Sequence, residues 1–128
     1  YHGQLPYEAM AAAGAAAATV PMRCFRVTFD RAESFNGKPK RPLVLVGDEG
    51  LTGIRMLRHQ LVSALRKSGL RGGSAGGFTP HLTLLYDERN VPARTVEAIG
   101  WTVNEFVLVR SLYGHGRHIL LARWKLRR

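Results

Sequence analysis

Two residues in this sequence have the types and spacing to do chemistry together: His81 and Thr83, two apart in GGFTPHLTLLYD at 76–87. In an extended strand, residues i and i+2 project to the same side. An imidazole and a hydroxyl would then stand next to each other on a fixed backbone. Histidine is the side chain suited to giving and taking a proton near neutrality, and a threonine hydroxyl can donate to a phosphoryl oxygen. Pro80 is tolerated at the start of a strand and fixes its approach. The chemistry implied is proton transfer at a phosphate. By itself the pair is a weak motif, and an exposed polar pair is the competing reading.

Other residues near the motif divide between binding and packing. Phe78 could stack a base or anchor the loop before the motif. Tyr86 lies five residues after His81, so strict alternation turns it to the opposite face, toward the core with Leu82 and Leu84. Arg110 and Ser111 end a later strand, where a guanidinium could hold a phosphate in bidentate fashion. His115 and His118 lack carboxylate or cysteine partners nearby and read as a solvated hairpin tip, so no metal is expected. In GDEG at 47–50, Asp48 and Glu49 read as acids at a helix N-terminus. RGGSAGG at 71–77 lacks the Lys-Ser/Thr ending of a phosphate loop. No cofactor is expected.

The chain has 128 residues and carries 19 Lys and Arg against 9 Asp and Glu, a net charge of +10. Its length suits one domain, 1–128. The charge favours a polyanionic partner, nucleic acid before an anionic membrane surface. No apolar run reaches the roughly 18 residues of a membrane helix, and the alanine-rich start is not expected to be a secretory signal. The single cysteine, Cys24, excludes an internal disulfide and a cysteine-based zinc cage, and points to a reducing cytoplasm.

The elements that must position His81 and Thr83 are legible as alternations and stripes. The alanine-rich segment at 7–19 predicts a helix ended by Pro21. CFRVTFD alternates Phe25, Val27 and Phe29 against Arg26, Thr28 and Asp30, a half-buried strand. LVLVG at 43–47 is a short apolar strand. A helix over 51–68 carries Ile54, Leu57, Leu61 and Leu65 on one stripe, with Arg55, Arg58, Arg66 and Lys67 off it. Gly69 ends it. A strand at 81–86, a turn at 87–93, one long strand at 101–111, a hairpin turn and a final strand at 119–126 complete the chain. RWKLRR reads as a solvated basic end. The pattern predicts an α+β fold with a largely antiparallel sheet.

FTPHLTLLYD resembles the second signature of the 2H phosphoesterase superfamily, in the bacterial branch known as 2′-5′ RNA ligase or RNA 2′,3′-cyclic phosphodiesterase. FRVTFDRAESF, LVLVGDEGL, WTVNEFVLVRSLYG and ILLARWKL resemble the segments around that signature in the same order, so the likeness spans nearly the whole chain. The resemblance implies antiparallel sheets with two helices packed outside, and two His-x-Thr/Ser motifs facing each other across a cleft. One histidine would act as base and the other as acid, with no metal. His81 would be one of them and Thr83 a phosphate donor. The implied reaction is hydrolysis of 2′,3′-cyclic phosphate ends of RNA or nucleotides to 2′-phosphates, with 2′-5′ ligation as its reverse.

The sequence departs from that pattern in one respect. His2, His59, His115 and His118 have no hydroxyl two residues on, and RVT at 26–28 has the hydroxyl without the histidine. The expectation is that the first motif and its strand fall upstream of residue 1. A native short chain would instead be inactive or would pair two copies of His81 in a dimer. Three rival readings follow: a non-catalytic RNA or nucleotide binder that keeps one motif, an enzyme for another cyclic phosphodiester, and a purely structural basic protein.

Overall fold

The computed structural model describes residues 7–70, 78–112 and 117–128. Helix α1 spans Tyr7–Ala18 and α2 Thr52–Lys67, preceded by a 3-10 turn at Glu49–Leu51. The strands are β1 Phe25–Ser34, β2 Arg41–Val46, β3 Leu82–Asp87, β4 Arg94–Val103, β5 Glu105–Leu112 and β6 Arg117–Lys125. They form a four-stranded sheet in the order β3-β2-β1-β4 and a separate β5-β6 hairpin. The chain gathers into two compact units, one of Arg26–Met56 and Gly76–Thr102, the other of Tyr1–Phe25, Leu57–Ala75 and Val103–Arg128.

The first unit holds the four-stranded sheet. Val27, Phe29, Val44, Leu45 and Val46 are buried, and removing each such side chain from water contributes about 1.5–3 kcal/mol. β1 and β2 pair antiparallel, with Glu33 opposite Val44 and Ser34 opposite Leu43. β2 pairs antiparallel with β3, placing Val44 opposite Thr83 and Leu43 opposite Leu85. Two close approaches explain its glycines. A Cβ on Gly50 would sit 2.6 Å from the Thr28 carbonyl oxygen, and one on Gly100 2.6 Å from that of Val27. The stacked rings of Phe29 and Trp101, centroids 5.6 Å apart, reinforce the seam between β1 and β4.

The second unit holds the hairpin. Phe106 and Trp124 stack across it at 5.4 Å. α1 packs against β6, with Gly14 facing the Trp124 ring. α2 ends in a Schellman motif: Gly69, at φ +83°, donates its amide to Arg66 and Leu70 donates to Leu65.

Four sequence expectations need correction. The strand expected at 101–111 is two strands, because the backbone turns at Asn104, whose carbonyl accepts the Leu126 amide. β4 begins at Arg94, in a stretch where Glu97, Ala98 and Gly100 weaken strand propensity. The C-terminal residues are not simply solvated: Leu126 is buried, and the Arg127 backbone bonds those of Met22 and Cys24. Asp48 binds Arg31 at 3.0 Å and gives no side-chain cap to the turn after it. The fourth correction concerns β3 and belongs to the site.

Candidate active site

β3 is an edge strand, and its sequence carries the site. Leu82 pairs with Leu45 and Thr83 with Val44, but Leu43 then pairs with Leu85, so Leu84 is an extra residue opposite no partner of its own. A bulge of this kind shifts the alternation by one. Thr83 and Tyr86, three apart, therefore share a face, because Thr83 stands opposite Val44 and Tyr86 opposite Pro42. Strict alternation missed this, and Tyr86 is 63% exposed rather than core. Leu82 and Leu84 are also exposed, at 39% and 52%, as befits an edge strand with a bulge.

His81 sits one residue before β3, following the buried Pro80. Its Nδ1 lies 2.8 Å from the Thr79 carbonyl oxygen. That oxygen can only accept, so Nδ1 carries the proton and donates. The tautomer is thereby fixed, and Nε2 is left as the working nitrogen. The imidazole also meets the Phe35 ring edge-on, centroids 4.9 Å apart and planes at 67°. Phe35 follows the end of β1 and donates its amide to the Pro42 carbonyl at 2.9 Å. The ring is thus held by one hydrogen bond and one aromatic contact, while the imidazole itself stays exposed.

The register assembles the rest of this face. Glu33, Val44 and Thr83 form one row across β1, β2 and β3; Phe35, Pro42 and Tyr86 form the next. Val44 is fully buried, and the exposed Thr83 hydroxyl stands next to it. Arg31, opposite Val46, supplies positive charge, though its guanidinium is engaged by Asp48. The β3–β4 loop is tied back to β1, since the Ser34 amide donates to the Val91 carbonyl and the Val91 amide to the Ser34 hydroxyl. Asp87 closes the turn by accepting from the Arg89 amide at 2.9 Å, and Arg89 holds its carboxyl below the ordinary value.

Of the residues singled out from sequence, His81 and Thr83 come together on rigid backbone, and Phe78 is exposed just before them. Arg110 and Ser111 lie in the other unit, where their backbones pair with Ile119 and His118. His115 and RGGSAGG lie outside the described residues. Phe35 was missed: 46 residues separate it from His81, and nothing in AESFNGK marks it. Among the described residues no cluster of three or more His, Cys, Asp or Glu could hold a metal ion. No described helix is long and apolar enough to cross a membrane. A groove of about 580 Å³ opens between the end of α1 and α2, lined in part by Thr19, Pro21, Gln60, Ser63 and Lys67. None of the residues of the His81 face lines it.

Comparison with known proteins places this arrangement. The family model described as the 2′-5′ RNA ligase superfamily matches residues 2–114. Among solved structures, one described as a phosphoesterase is 27% identical, with a TM-score of 0.77 over 98% of this chain and 73% of that one. LigT of E. coli complexed with 3′-AMP is 26% identical, with a TM-score of 0.71 over 98% of this chain and 73% of its own. LigT complexed with ATP is 25% identical, at 0.73 over 98% and 72%. No curated protein matches. The fold is that of these 2H phosphoesterases, with two helices and antiparallel sheets.

Proposed function

The chain belongs to the 2′-5′ RNA ligase superfamily, and we propose that it opens the 2′,3′-cyclic phosphate ends of RNA or nucleotides to 2′-phosphates without a metal or cofactor. An enzyme of the 2H type is the coarser statement on which this rests. The observation that carries the finer reading is the Nδ1–H bond from His81 to Thr79, which turns Nε2 of a neighbour of Thr83 toward solvent as a proton-transfer group.

The reaction breaks the P–O3′ bond of the ring. Water attacks phosphorus and loses a proton to a base, while an acid protonates the departing 3′-oxygen. His81 Nε2 performs one of these transfers. Thr83 donates to a non-bridging oxygen as charge gathers there. The other transfer needs a second group, which the family resemblance assigns to another His-x-Thr motif; residues 1–128 contain only the one at His81. Run in reverse, the same groups join a hydroxyl to the cyclic phosphate. Phe78 and Arg110 with Ser111 are the further substrate contacts of this reading. The net charge of +10 favours RNA, and the nucleotides held by LigT in its complexes are in keeping with such a partner. The cytoplasm, rich in RNA and reducing toward Cys24, is the compartment this reading assigns.

The possession of a single motif favours one alternative, a relative that binds RNA or nucleotides without turnover. The test is product formation from adenosine 2′,3′-cyclic phosphate in EDTA, followed by phosphorus NMR. Appearance of the 2′-phosphate supports hydrolysis. Saturable binding of the nucleotide with no product supports the binder.

A further inference from the structure

We infer that Tyr86 is the surface on which this site receives the base of its substrate, so that the site selects nucleotides over base-free cyclic phosphates. The inference rests on the proposed use of His81 and Thr83 at the phosphate. It starts from the bulge at Leu84. Without that extra residue Tyr86 would face away from Thr83; with it, Tyr86 stands opposite Pro42 while Thr83 stands opposite Val44, on one face of the sheet. Same-face neighbours on successive rows of a strand are about 7 Å apart. A phosphate held at Thr83 thus has an aromatic ring within the span of its own nucleoside.

The ring is also available. Tyr86 is 63% exposed, more than Leu82, Leu84 or Leu85 on the same strand. Leaving so much aromatic surface in water forgoes burial that a core position would gain. The neighbouring positions in its row, Pro42 and then Phe35, are apolar and half-buried, so the row offers a flat, uncharged strip next to a polar proton-transfer pair. A purine or pyrimidine stacked on such a strip gains contact without needing base-specific hydrogen bonds. Selectivity would therefore be for the presence of a base, with little preference among bases.

The experiment compares two substrates and two ligands in wild type, Tyr86→Ala, Tyr86→Leu and Tyr86→Trp. The substrates are adenosine 2′,3′-cyclic phosphate and ethylene phosphate, a five-membered cyclic phosphodiester with no base. The ligands are adenosine 2′-monophosphate and inorganic phosphate, measured by calorimetry. Tyr86→Ala and Tyr86→Leu should raise KM for the adenosine substrate about tenfold or more, the size of one lost base–aromatic stack, while kcat and ethylene phosphate hydrolysis stay as in wild type. Tyr86→Trp should keep wild-type behaviour. Equal losses on both substrates, or no loss on the adenosine one, would overturn the inference. Should neither substrate turn over in any form, the proposed activity fails and the ligands decide: weaker adenosine 2′-monophosphate binding with unchanged phosphate binding upholds Tyr86, and unchanged nucleotide binding rejects it.

Discussion

The His81 imidazole and the Phe35 ring meet edge-to-face at 4.9 Å, although Phe35 ends one side of the sheet and His81 begins the strand at the other edge. With the Nδ1–H bond to Thr79, this contact restricts the imidazole to one orientation and one tautomer. Phe35 is therefore a positioning residue for His81. Phe35→Leu keeps apolar volume but loses the ring edge. It should lower kcat about tenfold, within the range that general acid–base catalysis contributes, and leave KM near wild type. Phe35→Tyr should restore the rate. A fall in thermal stability with kcat unchanged would show that Phe35 only packs.

Thr83 gives a prediction through its hydroxyl. Thr83→Val removes the donor while keeping the branched shape, and Thr83→Ser keeps the donor. Loss of one donor to developing charge costs about 10²-fold in rate, so the valine variant should lose that much in kcat/KM and the serine variant little. Equal activity in the two variants would remove Thr83 from the phosphate.

Two glycines predict opposite signs. At Gly100 a Cβ would meet the Val27 carbonyl oxygen at 2.6 Å, a backbone atom that cannot swing aside. Gly100→Ala should destabilise by about 1–3 kcal/mol, as overpacking does. At Gly14, inside α1, the nearest atom is a Trp124 ring carbon at 3.8 Å. Gly14→Ala should stabilise by about 0.5–1 kcal/mol through helix propensity. Thermal melts of the two variants check both, and a shared sign would refute the packing described.

Asp87 gives the pH dependence of the turn behind the site. The Arg89 amide, then its guanidinium, hold the carboxyl below its ordinary value of 3.8. A depressed carboxylate adds stability that is fully present above the unfolded value and is lost as pH falls through the folded one. The Arg89 amide should therefore keep its chemical shift down to about pH 4 and move only below it. A midpoint above 3.8 would contradict the contact.

The chemistry was more legible in the sequence than the surface around it. His-Leu-Thr next to Pro80 announces itself by residue type, and the alternation of Phe25, Val27 and Phe29 and the Gly69 stop mark their elements directly. Tyr86 could not be placed, because a bulge exists only in the pairing of two strands: no residue type in LTLLYD shows that Leu84 lacks a partner. β4 was hidden for a related reason. Its Gly100 reads as a strand breaker, yet that glycine is what lets β4 lie against the Val27 backbone. Phe35 depended on a contact between distant segments, which local pattern cannot carry.

The most direct measurement is single-turnover hydrolysis of adenosine 2′,3′-cyclic phosphate in EDTA, comparing the protein from its full reading frame with its His81→Ala variant. His81 is exposed, so the variant should keep the wild-type melting temperature. The account predicts 2′-phosphate from the wild type and a loss of about 10²-fold or more in the variant. Equal rates in the two, with the fold intact, would contradict it.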